Sequence, residues 1–178
     1  LDQRGELAHR AVVVTVMTNL GFRIGMRDAG ITVHATAVGD RYVLEALESG
    51  GFVLGGEQSG HVIFRDAATT GDGVLAAVRI CDVVRRSQQT LADLADQAMT
   101  RLPQVLTNVR VERPMRDVAQ RLAAEIEQAE RALGDDGRVL VRASGTEPLV
   151  RVMVEATDET VAQRWAESLS NAVNALSG

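Results

Sequence analysis

The chain of 178 residues is 46% hydrophobic and 24% charged, a composition typical of a globular protein with one large or two small domains. Its formal net charge of −5, with no basic block to offset it, argues against a nucleic-acid partner. The single cysteine, Cys81, excludes an internal disulfide and fits a cytoplasmic location, and no apolar run approaches the roughly 20 residues that cross a bilayer, so no membrane partner is expected.

Strands and helices are predicted to alternate in the first half of the chain. Short apolar runs rich in β-branched residues indicate buried strands, and segments with apolar residues at helical spacing lie between them and end at glycines. This order is typical of a layered α/β domain, predicted here over residues 1–100. The predicted elements are a strand at 11–16, a helix at 19–29 capped by Thr18, a strand at 31–36, a helix at 41–48, and strands at 52–54 and 61–64.

Two further helices are predicted to complete this domain. Asp72 is interpreted as the cap of a helix over 72–87, because a lone aspartate without partner carboxylates makes a poor metal site. Thr90 is predicted to cap a shorter helix that runs through Met99. The longer helix is predicted to pack against the core through one apolar stripe, which consists of Val74, Leu75, Val78, Cys81 and Val84.

A second, smaller domain is predicted over residues 103–178, because Pro103 stops the preceding helix. The pattern of its elements predicts a compact α+β fold, in which a sheet is covered by helices on one face. The predicted elements are a strand at 105–111, a helix at 115–133, strands at 138–141 and 149–154, and a last helix capped by Asp158.

The loop Arg142-Ala-Ser-Gly-Thr-Glu-Pro148 joins two predicted strands and concentrates groups that bind anions. Glycine lets the backbone approach a ligand, and consecutive loop N–H groups can form an anion-binding concavity. Arg142 can grip a phosphate with two donors, and Ser144 and Thr146 offer hydroxyl groups. Arg151 follows three residues after the proline, near enough to face the same anion. The same residue types also build ordinary polar turns, so composition alone leaves both interpretations open.

A second polar loop, Gly55-Gly-Glu-Gln-Ser-Gly-His61, also lies between predicted strands. Ionised Glu57 can accept hydrogen bonds from vicinal hydroxyls, and Ser59 can donate or accept. His61 can donate to a phosphate or move a proton near neutral pH. A glycine-rich hairpin with a solvated glutamate would show the same residues, so this loop alone does not distinguish a binding site from an ordinary turn. The sequence has no dinucleotide or P-loop motif, no clustered Cys/His spacing and no Ser-His-Asp set.

Both loops together, in this order and about 80 residues apart, resemble the α-D-phosphohexomutase superfamily. Three further segments fit its amino-sugar branch: Thr15-Val-Met-Thr-Asn-Leu-Gly21, Val38-Gly-Asp-Arg-Tyr-Val43 and Thr69-Thr-Gly-Asp-Gly73. Gln58 favours this branch over the phosphomannomutase/phosphoglucomutase branch. The resemblance covers essentially the whole chain, but only the back half of the family's four-domain architecture.

The resemblance implies a division of roles between the two predicted domains. Residues 1–100 would be the family's domain three, with the sugar-binding loop, and residues 103–178 its domain four, with the phosphate-binding loop. The catalytic serine and the aspartate-rich Mg²⁺ loop belong to domains one and two, so no catalytic residue and no metal are expected on this chain. The expected sugar contacts are Glu57, Ser59, His61 and Arg41, and the expected phosphate contacts are Arg142, Ser144, Gly145, Thr146 and Arg151.

The activity implied by the resemblance is the interconversion of a hexosamine 6-phosphate and 1-phosphate, through a phosphoserine enzyme and a bisphosphate intermediate, in cell-wall precursor synthesis. The expected partners are the phosphosugar, the remaining domains of the same enzyme and, as an option, a second copy in a homodimer. The chain opens on Leu1 rather than methionine, which fits a piece of a longer protein that is inactive alone. Two alternatives stay open: a phosphomannomutase or phosphoglucomutase of the same superfamily, and a non-catalytic sugar-phosphate-binding module.

Overall fold

The computed structural model describes residues 1–145 and 147–177. The chain divides into two compact units, Leu1–Thr100 and Arg101–Gly178. The first unit is built on a mixed sheet of four strands and the second on an antiparallel sheet of three, and both sheets carry helices. This confirms the predicted combination of an α/β fold and an α+β fold. None of the helices in the two described ranges combines the length and the apolar character that a membrane span needs.

The first unit alternates strands and helices in the predicted order. Its strand β1 takes the apolar run that the sequence marks as doubly buried, and all five of its residues are buried. Strand β3 begins two residues later than predicted and includes Gly55 and Gly56, which were assigned to the loop. The elements are β1 (Ala11–Thr15), α1 (Leu20–Asp28), β2 (Thr32–Thr36), α2 (Asp40–Gly50), β3 (Leu54–Gly56), β4 (Val62–Phe64), α3 (Gly73–Ser87) and α4 (Leu91–Ala98).

The strand order in the first sheet is β2-β1-β3-β4. Strand β1 pairs in parallel with both β2 and β3, whereas β4 returns antiparallel to β3 as a hairpin. The carboxyl ends of the three parallel strands therefore meet at one edge of the sheet, which is where open α/β sheets bind ligands. The segments that leave this edge are residues 16–19, 37–39 and 57–61.

Helix α2 packs closely on this sheet because β3 has a glycine beneath it. Val43 and Leu47 of α2 are fully buried and form a core cluster with Val13 and Ile63. A Cβ at Gly55 would lie 2.7 Å from Cγ1 of Val43 and 2.9 Å from the carbonyl oxygen of Val13. The missing side chain thus sets the distance between α2 and the β3–β4 hairpin.

Replacing Gly55 with alanine is expected to lower the free energy of unfolding by about 1–3 kcal/mol, the usual cost of an extra methyl group in a filled core. One of the two close atoms is a backbone oxygen, so rotating a side chain does not relieve the clash. Gly73→Ala is the matched control, because a Cβ at Gly73 would meet nothing within 4 Å. Urea denaturation compares the variants, and equal midpoints would show that α2 has room to move away.

The predicted helix caps are confirmed at two of three positions in this unit. Asp72 accepts hydrogen bonds from two backbone N–H groups of the first turn of α3, both at 2.9 Å. Thr90 forms a reciprocal capping box with Asp93 at the start of α4. The prediction of Thr18 as the cap of α1 is wrong by one residue, because the side chain of Asn19 accepts from the first turn. Threonine and asparagine are both good caps, so the backbone path decides between them.

The predicted core stripe of α3 is wrong. Val74 and Val78 are 76% and 61% exposed, and Cys81 is exposed as well. Of the five residues in that stripe only Leu75 and Val84 are half-buried. Helical spacing identifies which side of a helix is apolar, but it does not tell whether another element covers that side.

The second unit contains a helix break that the sequence did not predict. The segment predicted as one helix over 115–133 forms two, because Leu122 leaves the helical conformation, with φ −104° and ψ 21°. No proline or glycine marks the break. Asp158 caps the last helix as predicted, accepting from the Val161 N–H at 3.0 Å. The elements are β5 (Gln104–Arg110), α5 (Val118–Arg121), α6 (Ala123–Leu133), β6 (Arg138–Ala143), β7 (Leu149–Glu155) and α7 (Glu159–Ser177).

The second sheet, in the order β5-β7-β6, has one apolar face and one mixed face. Successive residues of a strand point to opposite faces, and directly opposed residues of antiparallel strands share a face. Alternate valines of the three strands form the apolar face and share one core with residues of α5, α6 and α7. The mixed face carries three rows of opposed residues, which are Arg138–Glu155–Gln104, Leu140–Met153–Leu106 and Arg142–Arg151–Asn108.

The first of these rows contains a buried ion pair. The side chain of Glu155 is fully buried, and one of its oxygens accepts a hydrogen bond from Nε of Arg138 at 2.8 Å. Its other oxygen accepts from the amide of Gln104, also at 2.8 Å. Hydrogen bonds to both oxygens compensate the carboxylate for its removal from water.

Candidate functional site

The segment between β3 and β4 is a closed turn. The N–H of Glu57 donates to the carbonyl of His61 at 2.9 Å, and the N–H of Gly60 donates to the carbonyl of Glu57 at 3.1 Å. Gly60 has a φ of +99°, which residues with a side chain rarely adopt. The turn leaves Ser59 and His61 exposed.

The carboxylate of Glu57 is held by the protein, since its side chain is only 11% exposed. Its Oε1 accepts a hydrogen bond from the backbone N–H of Gly39 at 2.9 Å. Its Oε2 lies 3.7 Å from Nδ1 of His61. Oε1 therefore already accepts from the backbone, whereas Oε2 accepts no hydrogen bond from the described residues and has its full capacity for a ligand hydroxyl.

Two other segments of the first unit adjoin this turn. Gly39 precedes α2, and its carbonyl accepts the first hydrogen bonds of that helix, so Glu57 is tied to the start of α2. Gly71 lies against His61, since a Cβ at Gly71 would be 3.6 Å from Cδ2 of the His61 ring. Both glycines belong to segments that the sequence linked to the amino-sugar branch.

Arg41 lies on the first turn of α2, two residues after Gly39. Its side chain is 71% exposed, with the guanidinium carbon 4.7 Å from the centre of the Tyr42 ring and Nε 3.5 Å from the Glu45 carboxylate. Exposed contacts of this kind hold a side chain weakly, so the guanidinium can turn to an anion. The structure thus places Arg41 beside the contact that links α2 to the turn of Glu57, Ser59 and His61.

The second candidate site is the row Arg142–Arg151–Asn108 in the second unit. Arg142 lies directly opposite Arg151 in the pairing of β6 and β7, so two positive charges share one face of the sheet. Directly opposed like charges destabilise a sheet. No carboxylate of residues 1–145 or 147–177 forms a salt bridge with either arginine. The two arginines therefore favour the binding of an external anion.

Arg142 is also partly withdrawn from water. Burial lowers the pKa of its guanidinium, and the positive charge of Arg151 lowers this pKa further. Its Nε is buried and has no hydrogen-bond partner in the described part of the chain. An anion at the two guanidinium groups would relieve the repulsion and supply acceptors.

The loop between β6 and β7 is partly closed by its own hydrogen bonds. The N–H of Ser144 donates to the carbonyl of Leu149 at 2.8 Å, and the N–H of Glu147 donates to Oγ of Ser144 at 3.3 Å. Gly145 is exposed, and a Cβ there would meet nothing within 4 Å. Thr146 lies outside the described residues. Two N–H groups of this loop therefore already donate within the chain, whereas Nε of Arg142 donates to none of the residues that the structure describes.

Two family models match the chain one after the other. Residues 1–102 match the model described as phosphoglucomutase/phosphomannomutase, alpha/beta/alpha domain III. Residues 106–172 match the model described as phosphoglucomutase/phosphomannomutase, C-terminal domain. The chain belongs to the phosphoglucomutase/phosphomannomutase family. The resemblance to phosphohexomutases that the two loops indicated is thereby confirmed.

Two relatives in this phosphohexomutase family show high sequence identity. A phosphoglucosamine mutase of Frankia alni is 60% identical over 176 residues, which are 98% of this chain and 38% of the relative. A phosphoglucosamine mutase of Rhodococcus jostii is 57% identical over 170 residues, which are 95% of this chain and 38% of the relative. The chain spans about two fifths of the length of the curated relatives it matches.

Solved structures of phosphohexomutases share the fold. An N-acetylphosphoglucosamine mutase of Aspergillus fumigatus superposes with a TM-score of 0.80 over 97% of this chain and 39% of its own length, at 21% identity. The same enzyme in complex with GlcNAc-6P and magnesium gives a TM-score of 0.79 at 21% identity, over 97% of this chain and 40% of its own. At this identity the likeness concerns the fold alone.

The phosphohexomutase resemblance implies Mg²⁺, but the described residues of this chain do not fit a site for it. They contain no group of three or more His, Cys, Asp or Glu side chains that could hold a metal ion. Asp72, the aspartate between two glycines, accepts two hydrogen bonds from backbone N–H groups as a helix cap. No step of the chemistry is therefore assigned to a metal on this chain.

Sequence reasoning missed two residues beside the phosphohexomutase loops. Gly39 stands directly before a predicted helix, in the segment that fits the amino-sugar branch, but its bond to Glu57 depends on the strand order of the sheet. Asn108 lies in one row with Arg142 and Arg151. Its place depends on the register of an antiparallel pair that is distant in sequence, for which this chain gives no local signal.

Proposed function

We propose that this chain is the sugar- and phosphate-binding part of a phosphoglucosamine mutase, which interconverts glucosamine 6-phosphate and glucosamine 1-phosphate. The observation that carries the proposal is the identity of 60% and 57% to phosphoglucosamine mutases over nearly the whole chain. The opposed arginines of the second sheet support it, because both sugar phosphates and the bisphosphate intermediate carry phosphate groups.

Arg142 and Arg151 hold the phosphate group that is not reacting. A phosphate monoester carries roughly 1.5–2 negative charges near neutral pH and has three acceptor oxygens, so it can bridge two guanidinium groups. Burial and Arg151 lower the pKa of Arg142, but arginine side chains keep their positive charge in proteins, so both guanidinium groups can bind the anion. Ser144 and Gly145 border the bound phosphate, and Thr146 stays a contact predicted from the sequence.

The turn between β3 and β4 contacts the sugar body. Oε2 of Glu57 accepts from a ring hydroxyl, and the exposed hydroxyl of Ser59 donates or accepts beside it. His61 and Arg41 lie at the border of this contact, where each can donate to the sugar or to a nearby phosphate. Hydroxyl contacts of this kind persist when the bisphosphate intermediate turns round, whereas the two phosphate groups exchange places.

The phosphoryl donor, a phosphoserine, and the Mg²⁺ are assigned to the part of the enzyme outside this chain. Residues 1–100 act as domain three and residues 103–178 as domain four. The remaining domains of the same cytoplasmic enzyme are the macromolecular partners, and a second copy in a homodimer is a further option. Phosphoryl transfer needs a donor group and charge neutralisation at the moving phosphoryl, so the chain alone is expected to bind phosphosugar without turning it over.

The test is the substrate preference of the full-length enzyme that contains this chain. It is incubated with Mg²⁺, a catalytic amount of a hexose 1,6-bisphosphate and, separately, glucosamine 6-phosphate, glucose 6-phosphate or mannose 6-phosphate. We expect kcat/KM to be at least about tenfold higher for the amino sugar, because the plain hexose phosphates carry a neutral hydroxyl where glucosamine has its amino group and so offer fewer donors and no positive charge to a site built for that group.

A preference for a plain hexose phosphate would instead favour a phosphoglucomutase or phosphomannomutase. Binding of all three compounds without turnover would favour a non-catalytic sugar-phosphate-binding module.

A further inference from the structure

We infer that Gly39 is a positioning residue for the sugar site: its N–H binds Oε1 of Glu57, so that Oε2 is presented to a ligand hydroxyl. The inference rests on the proposed function, which makes residues 57–61 a sugar-contacting turn. It adds a residue outside that turn and assigns separate roles to the two oxygens of one carboxylate.

The hydrogen bond between Gly39 and Glu57 is shielded and charge-assisted. The distance from the Gly39 nitrogen to Oε1 is 2.9 Å, and the Glu57 side chain is 11% exposed, so water competes little for this hydrogen bond. Hydrogen bonds to an ionised acceptor are about twice as strong as those between neutral groups. Nδ1 of His61 lies 3.7 Å from the other oxygen, Oε2. The carboxylate is thus held at Oε1 before any ligand arrives.

The backbone at Gly39 requires a glycine. Its φ is +134°, a conformation that residues with a side chain rarely adopt, and a Cβ would lie 3.3 Å from Cδ2 of Tyr42. The carbonyl of Gly39 accepts from the N–H groups of Tyr42 and Val43, at 3.0 and 3.3 Å. One residue therefore directs its N–H to Glu57 and its carbonyl into α2.

This arrangement couples the positions of Glu57 and Arg41. Arg41 belongs to the turn of α2 that Gly39 begins, and α2 is also held close to β3 at Gly55, where a Cβ would lie 2.7 Å from Val43. Two contacts thus fix the start of α2 relative to the turn. A ligand that reaches both Oε2 and Arg41 meets groups that are already in place, which lowers the entropic cost of binding.

The first test is the kinetics of Gly39→Ala in the full-length enzyme with glucosamine 6-phosphate. We expect kcat/KM to fall about 10- to 100-fold, because a binding group displaced by about 1 Å costs this much, with KM rising because the sugar contact exists in the ground state. Gly51→Ala is the matched control. Gly51 ends the same helix with φ +66°, and a Cβ there would approach nothing closer than Nε2 of His9 at 3.5 Å. This control is expected to change kcat/KM by no more than about twofold, as for most surface changes.

The second test measures amide hydrogen exchange at Gly39 in the full-length enzyme. Glu57→Ala removes the acceptor, whereas Glu57→Gln keeps an oxygen that can accept from the same N–H. We expect exchange at Gly39 to accelerate in Glu57→Ala and to stay near the wild-type rate in Glu57→Gln. This comparison depends on the hydrogen bond and not on turnover.

The outcomes separate this inference from the proposed function. Equal kcat/KM for Gly39→Ala and Gly51→Ala in an active enzyme would refute the positioning role and leave the proposed function standing. A wild-type enzyme that neither binds nor converts any hexose phosphate would refute the proposed function and, with it, the role of Gly39 toward a ligand. If Gly39→Ala does not fold, the exchange comparison decides: an unchanged rate in Glu57→Ala refutes the contact, and acceleration confined to that variant supports it.

Discussion

Replacing Glu155 with alanine is expected to lower the free energy of unfolding by about 3–5 kcal/mol, the usual cost of removing one partner from a buried ion pair. The variant deprives Arg138, whose side chain is only 16% exposed, of the carboxylate that lies 2.6 Å from one of its terminal nitrogens. It also leaves the amide of Gln104 without the oxygen that accepts from it at 2.8 Å. Urea denaturation followed by circular dichroism measures the loss.

Two further substitutions make the interpretation specific. Replacing Glu155 with leucine and Arg138 with methionine together is expected to recover most of the lost stability, because apolar residues of similar volume often substitute for a buried ion pair without loss. Arg131→Ala is the control for an exposed pair: its partner Glu127 lies 3.7 Å away, and the arginine side chain is 71% exposed. We expect a change of no more than about 1 kcal/mol there. A Glu155→Ala protein as stable as the wild type would show that the stability of the fold does not depend on this ion pair.

Arg142→Ala is expected to weaken binding of the phosphosugar about 10- to 100-fold, because a charge-assisted contact to phosphate contributes about 1.5–3 kcal/mol. The same change removes one of two opposed positive charges. In the absence of ligand the variant should therefore be as stable as the wild type, or more stable by a few tenths of a kcal/mol. The apparent KM of the full-length enzyme measures the first effect, and thermal unfolding without phosphate measures the second.

The opposite signs of these two effects distinguish a binding arginine from a structural one. Arg142→Lys keeps a positive charge but not the planar pair of donors, so its KM should fall between those of the wild type and Arg142→Ala. The exposed change Arg131→Ala should leave KM unaltered. If Arg142→Ala loses stability and keeps its KM, the arginine supports the fold and the phosphate binds elsewhere.

The sequence predicted best those features that depend on neighbouring residues. The doubly buried strand β1, the cap at Asp72 and the hairpin that returns Arg151 toward Arg142 all follow from short stretches of chain, and the structure has each of them. The exposed stripe at Val74 and Val78 was placed in the core because an apolar helix side is normally covered. Whether it is covered depends on the arrangement of other elements, which local spacing does not contain.

The same distinction applies to the candidate site. The expected phosphate contacts Arg142 and Arg151 are nine positions apart on one hairpin, so their proximity could be predicted from the turn between them. The bond from Gly39 to Glu57 joins residues 18 positions apart, which follow β2 and β3, and these two strands are separated by β1 in the sheet. Propensity and periodicity do not give strand order, so this contact became visible only in the folded chain.

The pairing of β6 with β7 has a consequence for how the arginine row can change. A shift of one residue in this register would move Arg142 to the apolar face of the sheet, where Val152 lies in the core. The same shift would move Val141 to the mixed face. Burying a guanidinium among valines is so unfavourable that such a molecule would not compete with the native one. Every correctly folded copy therefore has Arg142 opposite Arg151, because the packing of the valines fixes the register. Substitutions in the loop between β6 and β7 can change the groups around a bound anion. The spacing of the two charges, however, is set by the packing of the core valines.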